Sequence, residues 1–255
     1  MFRGKLIASG SNAKTVKGDG TEFETAIMYL APFTLSGAGN VCSMAAVAAC
    51  WQGCLNSAGR GAFNNVQKAR IRKTRQYMTE RAAFLADLVA DLEAFARYCA
   101  RKNVRPCVRL NGTSDIIWER GHPVMREGAR HDSVMAAFPD VTFYDYSKIY
   151  KRVDRPLPSN YSITLSYSGA NAEYAAEIRA RVKARKANMA VVFRNRALVE
   201  RILAGNAYTI DGDETDMRFL DPQGGYTVAL YAKGKAKHDT SGFVQDWTCG
   251  MNDVL

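Results

Sequence analysis

Between Thr25 and Gly59 the chain contains no Asp, Glu, Lys, Arg or His, and the same stretch holds Cys42, Cys50 and Cys54 in a C-x₇-C-x₃-C array. A charge-free segment of that length has to be buried, to lie in a membrane, or to wrap something. The three thiols point to the third. Before Pro32, Ala26-Ile27-Met28-Tyr29-Leu30 is a short apolar run of strand length. After it, Ser36-Gly37-Ala38-Gly39-Asn40 is loop chemistry, because Gly and Asn tolerate positive φ. Ser43, Ala45, Ala46, Ala48, Ala49 and Gly53 are small enough to let the backbone wrap a common centre. Their N–H groups can then turn toward sulfur, as in iron–sulfur sites.

Two other readings of the thiols stay open on spacing alone. Zinc also takes thiolates, although structural zinc sites usually bring tight C-x₂₋₄-C pairs and four protein ligands. Unliganded cysteines packing as small hydrophobes are the second. A membrane span is disfavoured, since Pro32, the Ser36 to Asn40 loop and Asn56 interrupt any run of ~20 apolar residues.

A length of 255 residues suits one α/β domain. Its parts are an N-terminal arm over 1–24, the first strand and cysteine loop over 25–60, βα repeats over 61–205, and a C-terminal β and loop region over 206–255. With 47% hydrophobic and 24% charged residues, the composition is that of an ordinary cored protein rather than a disordered or membrane one. No apolar run follows Met1-Phe2-Arg3-Gly4-Lys5, so no signal peptide is expected, and the cytoplasm is the expected compartment. In that reducing setting the six cysteines favour metal ligation over disulfides. A net charge of +10 favours nucleic acid or another acidic partner.

Along the chain, a short strand is expected at Lys5 to Ala8. A helix from about Phe63 to Tyr77 places Lys68, Arg72 and Arg75 on one face, either a solvated stripe or a phosphate-contacting one. From Glu80 to Lys102, Leu85, Leu88, Leu92, Phe95, Ala96 and Cys99 form an apolar stripe at helical spacing. Strands follow at Pro106 to Leu110, Val141 to Tyr144, Tyr161 to Leu165 and Met189 to Phe193, with helices at Ala172 to Arg185 and up to Leu203. Apolar strands alternating with helices argue a parallel sheet covered on both faces. About five such units are too few for a regular eight-stranded barrel, and they fit a partial (β/α) barrel. At the C-terminal end, Tyr226 to Tyr231 reads as a strand of a β-hairpin turned at Gly224-Gly225.

Sites in such folds gather where strands end. Asn111, Thr113, Ser114 and Asp115 follow the Pro106 strand, Asp145 follows the next, and Ser166 follows the third. These are the ligand-binding candidates, with a capped turn as the alternative for the first group. The acidic run Asp211 to Asp216 lacks EF-hand spacing and reads as a charged turn. His122, His131 and His238 show neither metal-ligand nor triad spacing. Cys249 is a candidate fourth ligand.

Gly18-Asp19-Gly20, Ala31-Pro32, the Cys42, Cys50 and Cys54-Leu55-Asn56 array, Gly59-Arg60-Gly61, Val66-Gln67-Lys68-Ala69-Arg70 and Arg109-Leu110-Asn111-Gly112-Thr113-Ser114-Asp115 resemble the phage gene-product-88 family. The resemblance runs through Asp211 to Asp216 and Leu230 to Gly234, most of the chain. It implies a viral protein of the infected host's cytoplasm, an iron–sulfur cluster on Cys42, Cys50 and Cys54, and a barrel similar to that of radical S-adenosylmethionine (SAM) enzymes. A [4Fe–4S] cluster on three thiolates leaves one iron for an outside ligand, which is SAM in those enzymes. The chain departs from their C-x₃-C-x₂-C spacing, and no Gly-Gly-Glu segment follows the second strand. Three function classes stand at this stage: a radical SAM-like catalyst, a structural or redox cluster beside nucleic-acid-binding helices, and a virion or assembly component. No helix-turn-helix, zinc-finger or RNP signature is visible.

Overall fold

The computed structural model describes residues 1–10 and 22–246. The chain is α/β, with a mostly parallel main sheet of eight strands, and it divides into two compact units. The first unit comprises Met1–Cys42, Phe63–Asp145 and Leu157–Ser162; the second comprises Ser43–Ala62, Tyr146–Pro156 and Ile163–Leu255.

In the first unit the strands are β1 (Ile7–Ala8), β2 (Phe23–Met28), β3 (Arg105–Arg109), a separate pair of β4 (Val124–Arg126) and β5 (Ala129–His131), and most of β6 (Thr142–Ser147). The main-sheet order is β1-β2-β3-β6. β1 runs antiparallel to β2, whereas β2, β3 and β6 are parallel. Every residue of β2 is buried, as expected of a strand covered on both faces. The helices are α1 (Asn64–Thr79), α2 (Arg81–Arg101) and the single turn α3 (Val134–Ala137).

The buried side of α2 is Phe84, Leu85, Leu88, Val89, Leu92, Phe95 and Cys99, the stripe that its sequence period predicts. Each fully buried large side chain there is worth about 1.5–3 kcal/mol. The helix ends because Asn103 takes φ 54°. Val104 N–H then bonds Cys99 O at 3.1 Å and Asn103 N–H bonds Ala100 O at 3.1 Å, a Schellman cap with Asn in the left-handed position. α1 is different. It buries Arg70, Thr74 and Tyr77, so its inner face is polar and aromatic.

The second unit carries most of β7 (Tyr161–Ser166), then α4 (Ala172–Lys183), β8 (Met189–Phe193), α5 (Arg196–Gly205), β9 (Thr209–Asp211) and β10 (Thr227–Tyr231), in the sheet order β7-β8-β10-β9. α4 and α5 start on Asn171 and Asn195, whose side chains accept from Tyr174 N and Leu198 N. The expected C-terminal β-hairpin does not form. β10 is parallel to both of its neighbours, β8 and β9, and parallel strands cannot be joined by a tight turn. Gly224 and Gly225 do adopt positive φ, 74° and 91°, but their turn lies against Arg185 and delivers the chain into the sheet.

Candidate metal centre and the strand-end loops

In the first unit the stretch after β2 is clamped to the loop that leaves β3. Gly112 N–H donates to Met28 O at 3.0 Å and Asp115 N–H donates to Val41 O at 2.8 Å. Thr113 Oγ1 donates to Leu30 O at 2.5 Å. Only glycine fits at 112, because a Cβ there would stand 2.6 Å from Met28 O. Cys42 is set at the end of this clamp, with Sγ 3.8 Å from Thr113 O. One proposed ligand and one proposed binding loop are therefore neighbours.

The polar side chains of that loop are turned toward each other. Asn111 Oδ1 accepts from Ser114 Oγ at 2.9 Å, Ile116 N at 2.9 Å and Trp118 Nε1 at 3.1 Å. Asn111 N and Nδ2 donate to the two oxygens of Asp145, at 2.8 and 3.3 Å. Tyr161 Oη donates to Asp145 Oδ2 at 3.0 Å. Asp145 lies inside β6 rather than past its end, at 1% exposure. Asn111, Ser114 and Asp145 thus brace the ends of β3 and β6, while Asp115 stays half-buried. Trp118 and Tyr161 gave no sign of this role in the sequence, since their partners are supplied by the fold.

In the second unit, Cys50 and Cys54 lie on irregular backbone. Ala49 adopts φ 50° and Ser168 Oγ donates to Ala48 O at 2.7 Å, fixing the turn that carries Cys50. Cys50 packs beside a small apolar cluster of Ala232, Ala236, Phe243 and Val244. Its Sγ is 3.9 Å from Ala45 O. Cys54 Sγ accepts from Asn56 N–H at 3.5 Å, the kind of contact that stabilises a thiolate.

All three loop cysteines are half-buried, whereas Cys99 and Cys107 are core residues. The donor chemistry fits a thiolate-bound metal group. Among the described residues, however, no three His, Cys, Asp or Glu side chains stand together as a ligand set. Cys249 lies outside the described residues.

Ser166, the remaining strand-end candidate, accepts from Lys148 Nζ at 2.6 Å. That ammonium also lies 4.9 Å from the Phe243 ring centroid. On α1, Lys68, Arg72 and Arg75 are exposed, and Arg75 Nε donates to Ser36 O at 2.9 Å. Arg70 and Lys73 turn inward instead: Arg70 stacks 4.7 Å from the Tyr29 ring centroid, and Lys73 donates to Leu6 O. Burial holds the Lys73 ammonium pKa down at about 8. The acidic run is a charged turn, with Asp211 on Arg196 at 2.6 Å and Asp213 on Lys233 at 2.8 Å. Among the described residues no helix is long and apolar enough to cross a membrane.

A family model, gene product 88, matches residues 5–246. The chain belongs to the phage gene product 88 family. The match takes in Cys42, Cys50, Cys54 and the Asn111 to Asp115 loop of this gene product 88 protein. No curated protein and no solved structure matches the chain.

Proposed function

We propose that this gene product 88 protein is a phage-encoded iron–sulfur protein of the infected cell's cytoplasm. Cys42, Cys50 and Cys54 hold a [4Fe–4S] cluster on a sheet of the radical SAM-like partial-barrel type. The observation that supports the reading is the Cys42 Sγ contact with Thr113 O at 3.8 Å, because the Cys42 thiol then lies beside the loop leaving a parallel strand's C-terminal end, where α/β folds bind small molecules.

A cluster on three thiolates supplies electron transfer and an open iron, for which SAM is the ligand in radical SAM enzymes. The chain's own part is to bind and orient. Small residues bring the loop backbone close to the sulfurs, and Thr113 fixes the neighbouring loop through Leu30 O. Asn111, Ser114 and Asp145 keep that loop rigid, with Asp115 half-buried on it.

The test is iron, acid-labile sulfide and zinc content with an absorption spectrum, on protein purified without oxygen, followed by SAM titration. About four irons per chain, as a [4Fe–4S] cluster requires, with a spectral response to SAM supports the full reading. Zinc in place of iron overturns it.

A second reading rests on the exposure of Lys68 and Arg72 on α1. There the helix face contacts nucleic-acid phosphates, and the cysteines hold a structural metal. Binding that weakens steeply with salt, and that is lost on neutralising those two side chains, supports it.

A further inference from the structure

The second unit carries an exposed surface that neither reading uses. Charge-free loops normally turn their large apolar side chains inward, yet Trp51 is 49% exposed and Leu55 58% exposed. Between them Gly53 is buried. A Cβ on Gly53 would meet Ala236 Cα at 3.4 Å, so this loop lies directly on the 3₁₀ turn Gly234–His238. A Cβ on Gly234 would likewise stand 3.0 Å from Ala58 Cβ. The two contacts pack the loop that carries Trp51 and Leu55 against the turn that carries the residues flanking Ala236.

Those residues are Lys235, Lys237 and His238, all exposed, and Arg60 is exposed at the other end of the loop. None of the four side chains forms an ion pair among the described residues, unlike the neighbouring Lys233 and Arg194, which are held by Asp213 and Asp246. No acidic residue occurs in Ser43 to Ala62. The single one between Lys233 and Gln245, Asp239, is buried and accepts from Ser241 Oγ and Val244 N. An exposed indole on a loop packed against a turn whose lysines form no ion pair among the described residues combines the two elements that bind single-stranded nucleic acid. One is a flat ring on which a base stacks; the other is positive charge that follows the phosphates.

We infer that the Trp51 and Leu55 loop, with Arg60, Lys235, Lys237 and His238, is a binding surface for single-stranded nucleic acid. A base stacks on Trp51, and the backbone phosphates lie along Lys235 and Lys237. The inference is independent of what the cysteines hold, and it uses none of the α1 side chains.

The test is fluorescence anisotropy of the full chain with labelled oligothymidylate, against a duplex of equal length, over a range of salt. Single-strand binding is expected to be tighter than duplex binding. Trp51→Ala should weaken it about ten-fold, within the ~1–3 kcal/mol that stacking one base supplies. The double variant Lys235→Gln and Lys237→Gln should lower the slope of log affinity against log salt by about 1.4, at ~0.7 per phosphate contact. These side chains are exposed, and circular dichroism confirms that each variant is folded. Binding unchanged in both variants overturns the proposal. So does loss confined to Lys68→Gln and Arg72→Gln, or competition by polyglutamate as strong as by the oligonucleotide, which would mark the surface as one for an acidic protein.

Discussion

The hydroxyl of Tyr77 lies 2.8 Å from Nε2 of His122 inside a buried aromatic cluster. Trp118 sits 5.5 Å from Tyr77 and 4.8 Å from His122, centroid to centroid. Nδ1 of His122 faces two carbonyls, Arg120 O at 2.8 Å and Ile117 O at 3.1 Å. Carbonyls only accept, so Nδ1 carries the proton and Nε2 accepts from Tyr77. Arg81 adds its guanidinium 3.3 Å from the same Nε2. Burial first, then the Arg81 charge, holds the His122 pKa below its ordinary value, against the two carbonyl contacts that raise it. The neutral ring is therefore the folded one.

Stability should fall on acidification through the ordinary histidine range. Below about pH 6.5 the unfolded chain takes up a proton that folded His122 resists. The contribution is present above that pH and is lost as pH drops toward the depressed folded value. Urea unfolding at pH 7.5 and 5.5 measures it, and His122→Phe should flatten the difference.

Tyr77→Phe should cost about 1–3 kcal/mol, because it leaves a buried acceptor without its hydroxyl donor. Denaturant midpoints at constant slope measure it. A change below ~0.5 kcal/mol would mean that Arg81 alone satisfies the ring.

Asn111→Asp should destabilise strongly at neutral pH and recover as pH falls. The substitution sets a second carboxyl where Nδ2 now stands 3.3 Å from Asp145 Oδ2. Two carboxylates that close cannot both ionise cheaply. One folded-state pKa is then raised, so the penalty grows as pH rises above the ordinary carboxylate range and vanishes below it. A loss of similar size at every pH would point to steric disruption instead.

Gly112→Ala should cost about 1–3 kcal/mol, since the clashing atom, Met28 O, is backbone and cannot swing away. If the loop positions Cys42 for metal, iron content should fall with it. Gly205→Ala, at the end of α5, is the comparison, because a Cβ there meets nothing within 4 Å and the backbone is not in the positive-φ region.

How far the sequence could be read follows from where the partners lie. α2 and β8 were legible because each is a local pattern: a three- and four-residue apolar period in the one, and the continuous run Met189 to Phe193 in the other. The parallel order of the later strands followed from the same grammar. The parallel pairing of β10 was not legible, because Gly224-Gly225 has the chemistry of a tight hairpin turn and only the neighbouring strands decide between the two. β4 and β5 are three residues each and largely exposed, too short for period-two patterning. The strand-end loops were found, but their internal bracing was not. Asn111 meets Asp145 across 34 residues and Tyr77 meets His122 across 45, distances over which no sequence period carries a signal.

The central claim is that the thiols of Cys42, Cys50 and Cys54, and not the core thiols of Cys99 and Cys107, hold the metal. Iron and acid-labile sulfide per chain, measured without oxygen on the wild type and on five single Cys→Ala variants, test it most directly. Loss of iron on replacing Cys42, Cys50 or Cys54, with iron retained on replacing the core residues Cys99 or Cys107, is the predicted result. Full iron in any of the first three variants, or none in the wild type, would contradict the account.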